Sequence, residues 1–118
     1  MTATGLDENV EGALTYLLGP ITGIVFLIIE KESQFVRFHA MQSTITFAGF
    51  WIISMILSYA IVPAMGFGFI VFGGLLVMLI NLVAFITWLV CMYKAYKGEW
   101  FKLPVVGDIA EQQVGGPA

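Results

Sequence analysis

Charge is what this chain has least of. Only 11% of its 118 residues are charged while 59% are hydrophobic, and residues 66–93 carry no formal charge at all. An ordinary soluble domain carries about a quarter charged residues, so a surface facing water cannot be clothed from this supply. Cysteine is nearly absent too: Cys91 stands alone, which excludes an intrachain disulfide framework. A lone cysteine and a lone histidine, His39, do not make a metal site of three or four converging ligands. Five basic residues against eight acidic give a net charge of −3 and no electrostatic footprint for nucleic acid. No Lys/Arg-rich segment precedes the first apolar run and no small-residue cleavage site follows it, so the chain is expected to be mature, without a secretory or plastid leader. Neither a Ser/His/Asp order nor a Gly-rich phosphate loop is present. No cofactor and no enzymatic activity are expected.

What the chain does have is apolar length, which implies an all-α integral membrane protein. Residues 66–93 would rise ~42 Å as a helix, against ~30 Å of hydrocarbon; that is long for one traverse and too short for two. A single long, tilted helix is expected there. A second run, His39 to Val62, ends before Pro63. The first, Ala13 to Ile29, is slightly short but can start earlier. Thr4 and Asp7 fit a capping box, and Asp7, Glu8 and Glu11 suit the positive end of a helix dipole. Pro20 removes one backbone bond and predicts a kink. The expected architecture is one domain over residues 1–111 with three spans, at about 8–29, 40–62 and 66–97, and a disordered tail over 112–118.

Polar residues inside or beside these runs are the candidate interaction sites. Gly19 and Gly23 form a G-x-x-x-G that allows close helix approach. Ser33 is a possible N-cap for the second helix. Ser54 and Ser58 lie one turn apart. Asn81, Ala84, Thr87 (or Trp88), Cys91 and Ala95 make a small and polar stripe at helical spacing, and an amide in hydrocarbon needs a partner. Glu30 sits at the unfavourable end of its helix dipole and is expected to pair with Arg37 or Lys94. Lys94 and Lys97 complement the end of the third helix, and Gly98 fits its stop.

All five basic residues fall in two places: Lys31 and Arg37 in the first loop, and Lys94, Lys97 and Lys102 after the third run. With three spans those places share one side of the membrane. The positive-inside rule makes that side cytoplasmic and puts the N-terminus outside. Localisation is then multi-pass in the cell (inner or plasma) membrane, with lipid, other membrane subunits or further copies as partners.

Two stretches, GLDENVEGALTYLLGPITGIVFLIIEKESQFVRFHAMQS and KAYKGEWFKLPVVGDIAE, resemble the signature blocks of a family of small, uncharacterised prokaryotic membrane proteins. That family is distantly related to the twenty-kilodalton membrane subunit of the chloroplast inner-envelope import translocon. The resemblance runs from Gly5 to Glu111. It implies recurrent positions at Asn9, Glu30, Lys31, Val36, Arg37, His39, Ala40, Gln42, Ser43, Lys94, Ala95, Gly98, Pro104, Gly107 and Asp108, with a structural or interaction role rather than a catalytic one. The expected function is an accessory or scaffold subunit. The alternative is a protein-translocation or solute channel formed as an oligomer, whose path would be lined by Thr22, Ser54, Ser58, Asn81 and Thr87.

Overall fold

The computed structural model describes residues 4–66 and 70–114, and among these every regular element is helical. Helices α1 (Glu8–Leu17) and α2 (Pro20–Ile29) are short. Helix α3 (Gln34–Ile56) continues through a π turn, Leu57–Ile61, and a last turn, Val62–Ala64. Helix α4 spans Ile70–Tyr96, and α5 spans Val106–Val114.

The first apolar run is where sequence and structure part. A kinked traverse was expected; the chain instead breaks and turns back. Gly19 adopts φ +62 and ψ −127, a conformation that costs a residue with a Cβ far more than glycine. Pro20 then takes the first position of α2, where a missing N–H is no loss. Helix α1 runs alongside α3 in the same direction: the Ser33 hydroxyl meets Glu8, Gly12 faces the Phe35 ring, and Tyr16 meets His39 and Gln42. Helix α2 runs back. Ser43 reaches the Gly19 carbonyl, Gly23 lies against Ala40 and Thr44, and Arg37 reaches the Leu27 carbonyl. Each arm is about 15 Å long, half a bilayer's hydrocarbon. The pair is a helical hairpin whose arms are each too short to cross, so the three expected spans are not found among the described residues. Two helices, residues 34–61 and 70–96, are long and apolar enough to cross a membrane, and only 6% of the most apolar window of either is buried. The core helix of a soluble protein would be mostly buried.

The start of α1 was expected across the membrane from the first loop; among the described residues it lies at the same end of the molecule as that loop. Asn9 donates to the Tyr96 carbonyl at 2.9 Å, tying the start of α1 to the end of α4. All five basic and all eight acidic residues therefore gather at one end of an elongated molecule, 55 × 22 × 22 Å. The opposite end, around Tyr59 and Met65, has no charge.

Smaller expectations meet mixed outcomes. Helix α1 begins at Glu8 with Asp7 as N-cap and no side-chain capping bond, so Thr4 does not cap it. Its hydroxyl accepts from the Leu6 N–H and donates to Glu11 instead. Ser33 does cap α3, accepting from the Val36 N–H at 3.2 Å. The second helix starts at Gln34, as a cap at Ser33 implies, but runs through Pro63 where it was expected to end; the π turn ahead of it absorbs the bond that proline cannot make. Helix α4 is unbroken through Gly73 and Gly74; of the expected span over 66–97, Gly66 is not helical and residues 67–69 lie outside the described residues. Gly98, at φ +81, ends it as expected, with Gly98 N–H on the Ala95 carbonyl and Glu99 N–H on the Lys94 carbonyl, both 3.0 Å. In the tail, residues 112–114 are helical as the end of α5, and 115–118 lie outside the described residues.

Candidate functional site: a polar staple beneath the charged end

Between α4 and α5 the chain, Glu99 to Val105, is not helical. Such backbone survives at membrane depth only if the protein satisfies its polar groups. His39 and Gln42, one turn apart on α3, do this. The His39 Nε2–H donates to the Glu99 carbonyl at 2.8 Å, which leaves Nδ1 bare to accept from the Tyr16 hydroxyl at 2.7 Å. The Gln42 amide donates to the Phe101 carbonyl at 2.9 Å and to Tyr16 Oη at 2.8 Å, while its Oε1 accepts from the Leu103 N–H at 2.9 Å. Tyr16, His39 and Gln42 are fully buried. Edge-on contacts of His39 with Phe35, Phe38 and Tyr16, at 4.7, 5.0 and 5.4 Å between ring centroids, exclude water from the network. One histidine and one glutamine thus hold α1, α3 and the segment after α4 together.

The turn of the hairpin is closed by the same economy. Thr22 Oγ1 accepts from the Leu18 N–H at 3.1 Å and donates to the Thr15 carbonyl at 3.0 Å. Trp88 Nε1 donates to the Tyr16 carbonyl at 2.5 Å, and Ser43 donates to the Gly19 carbonyl at 3.0 Å. With the backbone satisfied, the tip presents only apolar side chains outward: Leu17, Leu18 and Ile21 are exposed. Close packing makes this possible. A Cβ on Gly23 would stand 2.5 Å from Thr44 Oγ1 and 2.8 Å from the Ala40 carbonyl oxygen. The small-residue pair thus serves packing within the chain.

Around the loop from α2 to α3, Glu30 is fully buried and accepts from the Glu32 and Ser33 N–H groups at 3.0 and 3.1 Å. Arg37 Nη1 donates to the carbonyls of Leu27 and Glu30, both at 2.8 Å, placing a cation on the negative end of α2. Lys94 pairs with Glu99 at 3.5 Å, and Lys97 lies 5.6 Å from the Tyr93 ring centroid. Lys102 bonds Glu111 at 2.7 Å and stands 3.6 Å from Asp108; the Glu111 bond, then the charges of Glu111 and Asp108, raise its pKa above the ordinary lysine value. Gly107 admits this clasp, since a Cβ there would come within 2.4 Å of Lys102 Cβ. Val105, at φ +66, takes a left-handed conformation in the same turn.

The structure therefore brings His39 and Gln42 onto the backbone of residues 99–103, while Ser43 reaches the hairpin turn at Gly19 and Arg37 bonds the backbone carbonyls of Leu27 and Glu30. Asn81 lies apart, in the far half of α4, where its Oδ1 accepts from Ser54 at 3.3 Å. Of its expected stripe, Cys91 and Ala95 are buried, Ala84, Thr87 and Trp88 are half-buried, and Asn81 is exposed. Sequence reasoning passed over Tyr16 and held Trp88 only as an alternative in the α4 stripe. The available signal was a hydrogen-bonding aromatic in an apolar run three residues before Gly19-Pro20. Among the described residues no group of three or more His, Cys, Asp or Glu could hold a metal ion. A cleft of about 590 Å³ lies at the charged end between the N-terminal turn, Phe35, Gly98 and Trp100.

Two long, exposed apolar helices, a short helical hairpin and a single charged end define a small α-helical integral membrane protein. The chain belongs to the magnetosome magnetite crystal formation protein family (MamF/MmsF), whose model matches residues 9–110. It is similar to a UPF0132 membrane protein of Archaeoglobus fulgidus, 68% identical over 94% of this chain and 99% of that one. Two UPF0132 membrane proteins of Methanocaldococcus jannaschii are 62% and 47% identical, over 94% and 95% of this chain and 92% and 74% of their own lengths. No solved structure matches. These matches support a small prokaryotic membrane family; they give no support to the link with the chloroplast translocon.

Proposed function

We propose that this protein is a non-catalytic scaffold of the cell membrane that presents one rigid, charged surface to a cytoplasmic or membrane partner. In this reading α3 and α4 cross the bilayer, the longer reach of α4 being taken up by tilt. The hairpin dips in from the cytoplasmic side, and both termini are cytoplasmic. The positive-inside rule supports that orientation, because Lys31, Arg37, Lys94, Lys97 and Lys102 share one end. The observation that carries the proposal is the staple of Tyr16, His39 and Gln42. Its hydrogen bonds run to one another, to backbone and to the buried Cys91, so the network fixes a surface rather than facing a substrate.

Three of the four hydroxyls offered for a channel lining support this over a pore. Thr22 is bonded within the hairpin turn, Thr87 to its own helix at Val83, and Ser54 to Asn81. The family description names magnetite crystal formation; the part of such a role that this geometry supports is a membrane-embedded scaffold. The test is quantitative co-purification of the full chain in mild detergent. A larger complex of fixed stoichiometry is expected, lost on reversing charges such as Lys31 and Glu32 at the surface. Solute flux through reconstituted protein would refute the scaffold reading.

A further inference from the structure

The hairpin covers α3 and α4 only on their charged half. Its turn reaches the level of Phe47 and Trp88, and beyond it the two long helices stand without a third. The face of α4 that α1 packs on, at Ala95, Cys91 and Trp88, continues at helical spacing to Asn81 and Gly74. Asn81 lies thirteen residues before Lys94, roughly 20 Å deeper along the helix. Its side chain is exposed. Ser54 satisfies one acceptor site at 3.3 Å, and the amide's two N–H donors have no acceptor among the described residues. Hydrocarbon supplies none. Two turns away, a Cβ on Gly74 would meet nothing within 4 Å, so another backbone can approach there.

We propose that a second copy of this chain packs on this face, Asn81 against Asn81 across a two-fold axis along the membrane normal, with Gly74 near the closest approach. An amide is self-complementary: each of the facing pair donates one N–H and accepts one. Two copies inserted in the same orientation carry Asn81 at the same depth, so one residue type meets the need of both. The hairpins keep the charged halves apart, and the contact is confined to the uncharged half. The proposal rests on α3 and α4 crossing the bilayer, as read above.

The experiment is disulfide cross-linking of the full chain in native membranes, with Gly74→Cys as the probe and Phe72→Cys, on a different face of α4, as the comparison. Cys91 is buried and stays silent. Gly74→Cys is expected to form a dimer of this chain about tenfold faster than Phe72→Cys. Adding Asn81→Leu should slow it by a similar factor, and Asn81→Gln should restore it. Because residue 81 faces outward, leucine does not threaten the fold. Equal rates at both probes, an Asn81→Leu variant that cross-links unchanged, or an adduct with a different protein would overturn the pairing. Release of the chain by alkaline carbonate would overturn the spanning reading and this proposal with it; a carbonate-resistant monomer overturns the pairing alone.

Discussion

Replacing Gln42 with leucine tests the staple directly. The side chains are close in size, so packing around residue 42 changes little while three hydrogen bonds disappear. Tyr16 still donates to His39. The Phe101 carbonyl and the Leu103 N–H, however, lose the partner that Gln42 supplied. A buried backbone group left unsatisfied costs about 1–3 kcal/mol, so the two together cost about 2–6 kcal/mol. That is a large share of the ~5–15 kcal/mol that holds a domain folded. The loss is local: the segment from Glu99 to Leu103 should lift before the helices separate. Trypsin cleavage after Lys102 of the purified protein in detergent reads that lifting, and 2 kcal/mol corresponds to about 30-fold faster cleavage. Thr87→Val is the control, since its hydroxyl bonds only its own helix. If Gln42→Leu and wild type are cut at Lys102 at equal rates, Gln42 does not fasten the segment and the reasoning fails.

Gly23→Val should destabilise the protein by about 1–3 kcal/mol in denaturing-detergent titrations, because a Cβ there already falls on the Ala40 backbone; Gly49→Ala, whose Cβ meets nothing within 4 Å, should be neutral or better. Gly107→Ala should unseat α5 from Lys102 and raise amide exchange across residues 106–114, while the adjacent change Asp108→Asn leaves exchange nearly unchanged. Lys102 has a raised pKa in the folded chain, so with Glu111 and Asp108 ionised its clasp persists past the ordinary lysine value of 10.5 and is lost as pH climbs through the raised one; α5 protection, corrected for the intrinsic base-catalysed exchange rate, should fall there. A cysteine at Thr4 should react with an impermeant thiol reagent only after the membrane is opened, and one at Met65 in intact cells. The reverse pattern would refute the cytoplasmic N-terminus.

Much of this protein was legible residue by residue. The shortage of charge and the length of the apolar runs specify a membrane helix protein. Ser33 and Gly98 mark where α3 starts and α4 stops because capping is local chemistry. The confinement of lysines and arginine to two segments already implied a shared face. The first run was misjudged because hydropathy measures whether a segment tolerates lipid, not how far it travels. Gly19-Pro20 reads equally as a kink or a reversal until Gly23 is seen against Ala40 and Thr44. Likewise His39 and Gln42 look like polar residues at a helix end. Their partners are the backbone of residues some sixty positions away, and a backbone carbonyl has no sequence signature. Composition alone set the solvent this chain folds in. Only tertiary packing decided that its first apolar run reverses, because the reversal depends on groups from α3 and α4 closing the polar bonds that an apolar turn would leave open.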